Sequence, residues 1–400
     1  MKTPQILAGI RVLDLTNVLS GPFATLHLAQ LGADVLKIEN PKGGDLARCL
    51  GILPELNQRL MGTSFLAQNC NKRSITLNTK SPEGKAILLR LAKEADVVVE
   101  NFRPGVMDRL GLGYAVLRAT NPRLIYCAIS GFGQTGPDAQ KPAYDQLIQG
   151  LSGEMAVNGD ERLNPLRTGF PICDTVGGLN AAFAILAALY HRERSGEGQA
   201  IDVALLDSVM PLMGWVAANL LIGGQPPQPM GNDNFTAAPS GTFRTQDGHI
   251  NIAANKQQQW EAVCDVLELP ELKCDPRFQE RGTRKKNRAE LTPLLEAKLV
   301  QRPTAHWVEV LNARDVPSGA ILGLEAALRQ PQVAHRGVLH KVPVEGFGEV
   351  EVFGLTAAFE KTPGSVDAPP PELGAHNAEV FARLGFSPEA QAALKAKGVI

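Results

Sequence analysis

Arg11-Val12-Leu13-Asp14-Leu15 and Asp34-Val35-Leu36-Lys37-Ile38-Glu39 are short apolar runs flanking a segment that Gly21-Pro22 opens and Gly32 closes. Proline fits the first turn of a helix and glycine its C-terminal end. The spacing therefore predicts strand, helix through Leu31, strand. The rhythm repeats in Ser74–Asn78, in a helix from Ser81-Pro82 to Lys93, and in the runs Ala95–Glu100 and Leu124–Ser130. A small-residue helix after Asp174 and the run Gln199–Leu205 continue it. Strands this short and this uniformly apolar, alternating with helices, predict an α/β fold around an open parallel sheet covered on both faces.

The rhythm breaks near residue 220, where Gly223-Gly224-Gln225-Pro226-Pro227-Gln228-Pro229 has a linker's composition. Beyond it, Gly241–Thr245 and His249–Ala253 flank an Asp247-Gly248 turn, a hairpin signal. Helical stretches follow at Lys256–Leu267, Arg288–Val300, Thr304–Ala313 and Gly323–Arg329. The expected organisation is a large domain from residues 1–220 and 331–400 and a smaller α+β domain from 221–330. A second hairpin is expected within Val338–Leu355, then two closing helices.

With 40 Lys+Arg against 41 Asp+Glu, the chain has no global charge that would favour nucleic acid or an anionic membrane. An anionic ligand must be held by a local cluster of cations. Six cysteines without a Cys-x-x-Cys pair, and histidines without ligand spacing, imply neither a disulfide framework nor a metal. The start, Met1 to Leu7, is too short an apolar stretch for a signal peptide. Ala181–Tyr190 reads as a core helix rather than a membrane span. A cytoplasmic protein is expected, with no nucleic-acid or membrane partner.

Gly131-Phe132-Gly133-Gln134-Thr135-Gly136 fits the dinucleotide pattern, but Pro137 and Pro142 interrupt the helix that such a site needs. Nicotinamide binding is discounted on that ground, and no phosphate-binding G-x-x-x-x-G-K-[ST] loop occurs. Asn101-Phe102-Arg103-Pro104-Gly105, just after an apolar strand, with Arg109 one turn on, brings together an amide, an aromatic face and cations. Each alone reads as a solvated surface group. With Asn71-Lys72-Arg73 and Lys80 they outline a pocket for a phosphorylated, ring-bearing ligand. Asp174, where the extended run Thr168–Cys173 turns into Thr175-Val176-Gly177-Gly178, can be a plain N-cap or a nucleophile whose neighbouring glycines admit a ligand. Cys173 beside it reads as packing. Asp145, after Tyr144, is a turn residue or a group that positions a substrate.

Taken together these residues resemble the class III CoA-transferases, the family of formyl-CoA transferase and carnitine-CoA transferase. The resemblance rests on Leu13-Asp14-Leu15 through Gly21-Pro22, on Leu31–Glu39 and Asn71–Ser74, on Val99–Gly105 and Ile129–Gly133, and on the Asp174 helix followed by Gly196-Glu197-Gly198-Gln199. It implies that Asp174 is the catalytic aspartate. It implies CoA contacts at Val18, Leu19, Ser20, Leu77, Lys80, Asn101, Phe102, Arg109 and Tyr144. Arg103, Asp145, Gly177 and Gly178 are further candidates for acceptor or CoA contacts, the two glycines and the region of Ser20 through their backbone N–H groups.

The resemblance further implies a Rossmann-like large domain whose parallel sheet is built from both chain ends, and an interlocked homodimer. CoA enters as substrate, with no permanently bound cofactor. Formyl-CoA transferase has Gln where this chain has Leu19, and a glycine run near Gly231-Asn232-Asp233-Asn234. Neither is retained, which points away from formyl-CoA/oxalate chemistry and toward small dicarboxylates such as itaconate, oxalate, mesaconate or glutarate. Succinyl-CoA or acetyl-CoA is the expected donor. The alternatives are a racemase resembling α-methylacyl-CoA racemase, or a non-catalytic acyl-CoA-binding protein.

Overall fold

The apolar runs become six parallel strands in the computed structural model, which describes residues 5–400. Met1–Pro4, part of the stretch read above against a signal peptide, lie outside the described residues. The strands are β1 (Arg11–Asp14), β2 (Asp34–Glu39), β3 (Lys72–Thr76), β4 (Val97–Glu100), β5 (Ile125–Ser130) and β6 (Ala200–Ala204). Their order is β3-β2-β1-β4-β5-β6. The chain winds outward from β1 to β3, then returns to lay β4 on the other side of β1. This reversal makes β1/β4 the switch point, where the loops leaving the strands diverge and open a crevice at the C-terminal edge.

Alternate residues of each strand feed two different cores. Val12, Val97, Val99 and Ile125 pack with the helices Ser20–Gln30 and Ile172–Ser195. Leu13, Leu36, Ile75 and Val98 pack on the opposite face, against the helix Pro82–Glu94 and the C-terminal residues Val380, Phe381 and Leu394. Burial on both faces is why the runs are continuously apolar rather than alternating. Each such side chain contributes about 1.5–3 kcal/mol.

Every strand of this sheet comes from residues 11–204, so the expectation of a sheet built from both chain ends is corrected. The C-terminal residues supply cover instead: two helices, Asn377–Arg383 and Pro388–Ala396, and the hairpin β10 (Leu339–Val344) and β11 (Gly348–Phe353). The order of the six strands is satisfied without any later strand, because β3 and β6 already form the edges.

Two compact units divide the chain. The first runs to Glu154, resumes over Arg167–Gln225 and takes in Ala334–Ile400. The second joins Met155–Leu166 to Pro226–Val333. The expected cuts at 220/221 and 330/331 missed the Met155–Leu166 excursion, which carries no periodic apolar pattern. Within the second unit, β7 (Ser240–Arg244), β8 (His249–Ala253) and β9 (Ser318–Ala320) form an antiparallel sheet against a core that includes Trp260, Phe278 and Leu295. The stretch Gly231–Asn234 is tied down there: the Gly231 N–H donates to Gly159 O at 2.7 Å, and Asp233 pairs with Arg288.

The helix Ile172–Ser195 is longer than the Ala181–Tyr190 core read from sequence. Its length and composition alone would allow it to cross a membrane. One side of it is buried on β5, β6 and the helix Ser20–Gln30. The other exposes Leu179, Phe183 and Tyr190 in a stripe at helical spacing.

Candidate active site

Because all six strands point the same way, the loops after β1, β3, β4 and β5 leave one edge of the sheet. At the switch point the loop after β1 is held by side chains from neighbouring strand ends. Asn101, directly after β4, accepts a hydrogen bond from the Asn17 N–H and donates one to the Asn17 carbonyl, both at 2.8 Å. The Thr16 N–H donates to Asp14 Oδ1 at 2.9 Å, and Lys37 Nζ donates to the Thr16 carbonyl at 2.8 Å. Val18 has φ +68°, a left-handed conformation that costs a β-branched residue about 1–3 kcal/mol. The helix Ser20–Gln30 starts immediately afterwards with no side-chain cap and no acid in its first turn. Its N-terminal N–H groups and dipole therefore face the crevice uncommitted.

Asp174 stands beside that helix end. The helix that bears it begins at Ile172, so Asp174 is its third residue and not its cap, correcting the turn expected at 174. The cap comes from 29 residues away. Asp145 Oδ1 accepts the Cys173 N–H at 2.8 Å and the Asp174 N–H at 3.2 Å, while Gln149 holds Asp145 Oδ2 at 2.6 Å. With the local N–H groups answered by Asp145, the Asp174 carboxylate is left without a hydrogen-bond partner of its own among the described residues. Burial, and then the neighbouring Asp145 charge, pushes its pKa up to about 7.

Gly177 and Gly178 bring this helix against its neighbours. A Cβ on Gly178 would lie 2.5 Å from the Ser20 carbonyl oxygen, and one on Gly177 would lie 2.2 Å from Leu205. Asp174 is one turn before Gly178 on the same face, so it projects toward the start of the Ser20 helix. Both glycines are buried, and inside the helix their N–H groups are spent on its own hydrogen bonds. They are corrected from ligand contacts or oxyanion donors to a close-packing device. Uncommitted donors lie instead at the Ser20 helix end.

The other expected contacts divide. Val18, Leu19, Ser20, Asn101 and Phe102 share the switch point. Arg103, Arg109 and Lys80 are exposed, on loops leaving the same edge, and no carboxylate is within ion-pair distance of any of them among the described residues. Tyr144 is 76% exposed and precedes Asp145. Leu77 is buried in the core, so only its backbone reaches the edge.

Of the groups read around β3, the side chains of Asn71, Lys72 and Arg73 are engaged by protein partners, unlike that of Lys80. Lys72 is fully buried and contacts Asp14 at 3.1 Å. Arg73 is spent on Asp34 and Glu379. Asn71 accepts the N–H groups of Asp367 and Ala368. Sequence reasoning missed the polar lattice beneath the crevice: Asp14 with Lys72, Lys37 with Asp45 at 2.9 Å, and Glu39 with Arg48 at 2.6 Å. The available signal was charge inside three adjacent apolar strands: Asp14 in β1, Lys37 and Glu39 in β2, and Lys72 in β3.

A half-buried carboxylate beside uncommitted helix-end donors and a fringe of free cations is suited to acyl transfer on an anionic substrate. The comparisons agree with this reading. The family model described as CoA-transferase family III matches residues 7–377. The chain is 39% identical to mouse (Mus musculus) succinyl-CoA:glutarate CoA-transferase, over 94% of this chain and 85% of that protein. It is 42% identical to acetyl-CoA:oxalate CoA-transferase of Acetobacter aceti, over 83% of this chain and 85% of that one. A crystal structure of a CAIB/BAIF family protein from Brucella suis superposes with a TM-score of 0.84 at 36% identity, covering 95% of this chain and 99% of its own. The shared architecture, matched along almost its whole length, assigns the chain: it belongs to CoA-transferase family III.

Proposed function

We propose that this enzyme moves CoA from an acyl-CoA donor to a small dicarboxylate through a thioester on Asp174. The observation that carries the reading is the Asp174 carboxylate, raised to a pKa of about 7, beside the uncapped start of the Ser20 helix. Asp174 attacks the donor thioester carbonyl and expels CoA thiolate, forming a mixed anhydride. The thiolate attacks the aspartyl carbonyl, which gives the Asp174–CoA thioester and frees the donor acid. The acceptor carboxylate then displaces CoA thiolate to form a second anhydride. Attack of that thiolate on the acceptor carbonyl yields the new acyl-CoA and restores Asp174. Every nucleophile and leaving group is an anion, so no proton need move and no ATP is consumed. The helix-end N–H groups near Ser20 answer the negative charge on each tetrahedral oxygen.

Arg109, Arg103 and Lys80 suit the CoA phosphates, and Phe102 and Tyr144 suit its adenine. Succinyl-CoA or acetyl-CoA as donor and glutarate or oxalate as acceptor follow from the likeness to the named relatives. The titratable neighbour of Asp174 is Asp145 and not an imidazole, which favours acyl transfer over α-proton exchange. The exposed stripe Leu179, Phe183, Tyr190, together with exposed Trp215, Leu221 and Ile222, supports a homodimer, interlocked as in the family it resembles.

Intact-mass analysis after incubation with succinyl-CoA should show a CoA adduct on the Asp174 peptide. Hydroxylamine should remove it, and glutarate or oxalate should discharge it. No adduct, or one on another residue, would overturn the reading and leave acyl-CoA binding without transfer.

The reaction rate should fall as pH drops through about 7, where Asp174 becomes protonated. Asp145→Asn keeps an oxygen for the Cys173 and Asp174 N–H groups but removes the second cause of the raised pKa. Its acid limb in a kcat/KM profile between pH 5 and 9 should move to lower pH. An unmoved limb would dissociate Asp145 from the charge state of Asp174.

A further inference from the structure

The loop that ends in Leu19 and Ser20 passes through a left-handed Val18, φ +68°. Such a conformation persists in a β-branched residue only where the surroundings over-determine it. Thr16 and Asn17 are held on both sides by Asp14, Lys37 and Asn101. Val18 has one restraint of its own: its N–H donates to Asp45 Oδ1 at 2.9 Å. The same oxygen accepts the Ala47 N–H at 2.9 Å and so caps the short helix Leu46–Cys49. Asp45 Oδ2 lies 2.9 Å from Lys37 Nζ, with neither side chain exposed. The Asp45 N–H donates to Glu39 Oε2 at 3.0 Å, and Glu39 is gripped by both ends of the Arg48 guanidinium. Asp45 is thus held by hydrogen bonds at its N–H and Oδ1 and by the Lys37 charge at Oδ2, with Oδ1 turned to the strained residue.

We propose that Asp45 is a positioning residue for CoA transfer. Its buried carboxylate holds Val18 left-handed and thereby aims the Leu19–Ser20 backbone and the uncapped helix end at the substrate beside Asp174. The proposal rests on the crevice being the acyl-CoA site.

In Asp45→Asn the single remaining oxygen must answer the buried Lys37 cation as well as the Val18 and Ala47 N–H groups, and the charge draws it away from the N–H dipoles, so the grip on Val18 is lost. Glycine adopts the left-handed region at no steric cost, so Val18→Gly in that background removes the need for the grip without restoring a partner to Lys37. Asp45→Asn should raise the KM for acyl-CoA and lower kcat/KM at least tenfold. The Asp45→Asn/Val18→Gly double variant should recover fivefold or more of that loss. Calorimetric Kd values for CoA should follow the same pattern, a readout that does not depend on the chemistry assigned to Asp174.

A double variant no better than Asp45→Asn in both readouts would overturn the proposal, since the damage would then come from the unpaired lysine. An Asp45→Asn variant within twofold of wild type in both would also overturn it. If Asp45→Asn fails to melt cooperatively, adding Lys37→Met removes the orphaned cation, and the same comparison with and without Val18→Gly decides. The reading of the site fails separately: CoA binding insensitive to every change at the crevice would place the substrate elsewhere.

Discussion

Asp174→Asn should lose CoA transfer by at least about 10⁴-fold, the scale expected when a covalent nucleophile is removed. The amide is nearly the same shape, and the Asp145 cap on the Cys173 and Asp174 N–H groups is untouched. The variant should therefore fold and bind CoA, yet form no covalent adduct. It should also be more stable than wild type at neutral pH. The folded-state pKa of Asp174 is raised from 3.8 to about 7, chiefly by burial, so its charged form is disfavoured in the folded protein. That cost is absent below about pH 4, where both states are protonated, and is complete above about pH 7. Thermal melts should show the Asn variant gaining on wild type between those limits and level with it in acid. Near-wild-type turnover by Asp174→Asn would remove Asp174 from the chemistry. A variant that melts lower at pH 8 would contradict the electrostatic account.

Lys72→Met should cost about 3–5 kcal/mol, because it strands a buried carboxylate rather than deleting a pair. Lys72 Nζ donates to Asp14 Oδ2, to the Pro22 carbonyl at 2.9 Å and to Asn69 Oδ1 at 2.9 Å, with no exposure at either charged group. Burial alone would raise the Asp14 pKa. Lys37 and Lys72, with hydrogen bonds from Thr16 and Thr25, outweigh it and hold the carboxyl well below the usual range. The stability so gained is present above the ordinary carboxylate pKa and is lost as pH falls below it. Without Lys72 the loss should begin at higher pH, and the urea midpoint at pH 7 should drop sharply. Since Lys72 also holds the Pro22 carbonyl in the first turn of the Ser20 helix, CoA affinity should weaken in the folded fraction. An unchanged urea midpoint would mean that the methionine packs as well as the ion pair it replaces.

The strand–helix rhythm and the parallel sheet were legible because they are local. A β-strand buried on both faces favours apolar residues on both sides of its pleat, and Val97-Val98-Val99 announces this without reference to its partners. Asn101 and Phe102 were legible as edge residues because they follow such a run at once. Asp174 was legible as a candidate through its glycine-rich helix, though the glycines were read as ligand space when they serve helix contact. Gly178 against the Ser20 carbonyl is a contact across about 160 residues, and no periodicity encodes it.

The amino-acid order was enough to place the six parallel strands, the edge residues that carry amides and cations, and a candidate carboxylate near the start of the long helix. Tertiary structure alone decided that Lys72 is a buried counter-ion and not a ligand cation, that Asp145 caps the Asp174 helix, and that Asp45 grips Val18. The physical reason is the range of the forces. Backbone geometry and hydrophobic period act over a few residues, whereas the role of a charge depends on its desolvation and its partners, and both are set by strand order.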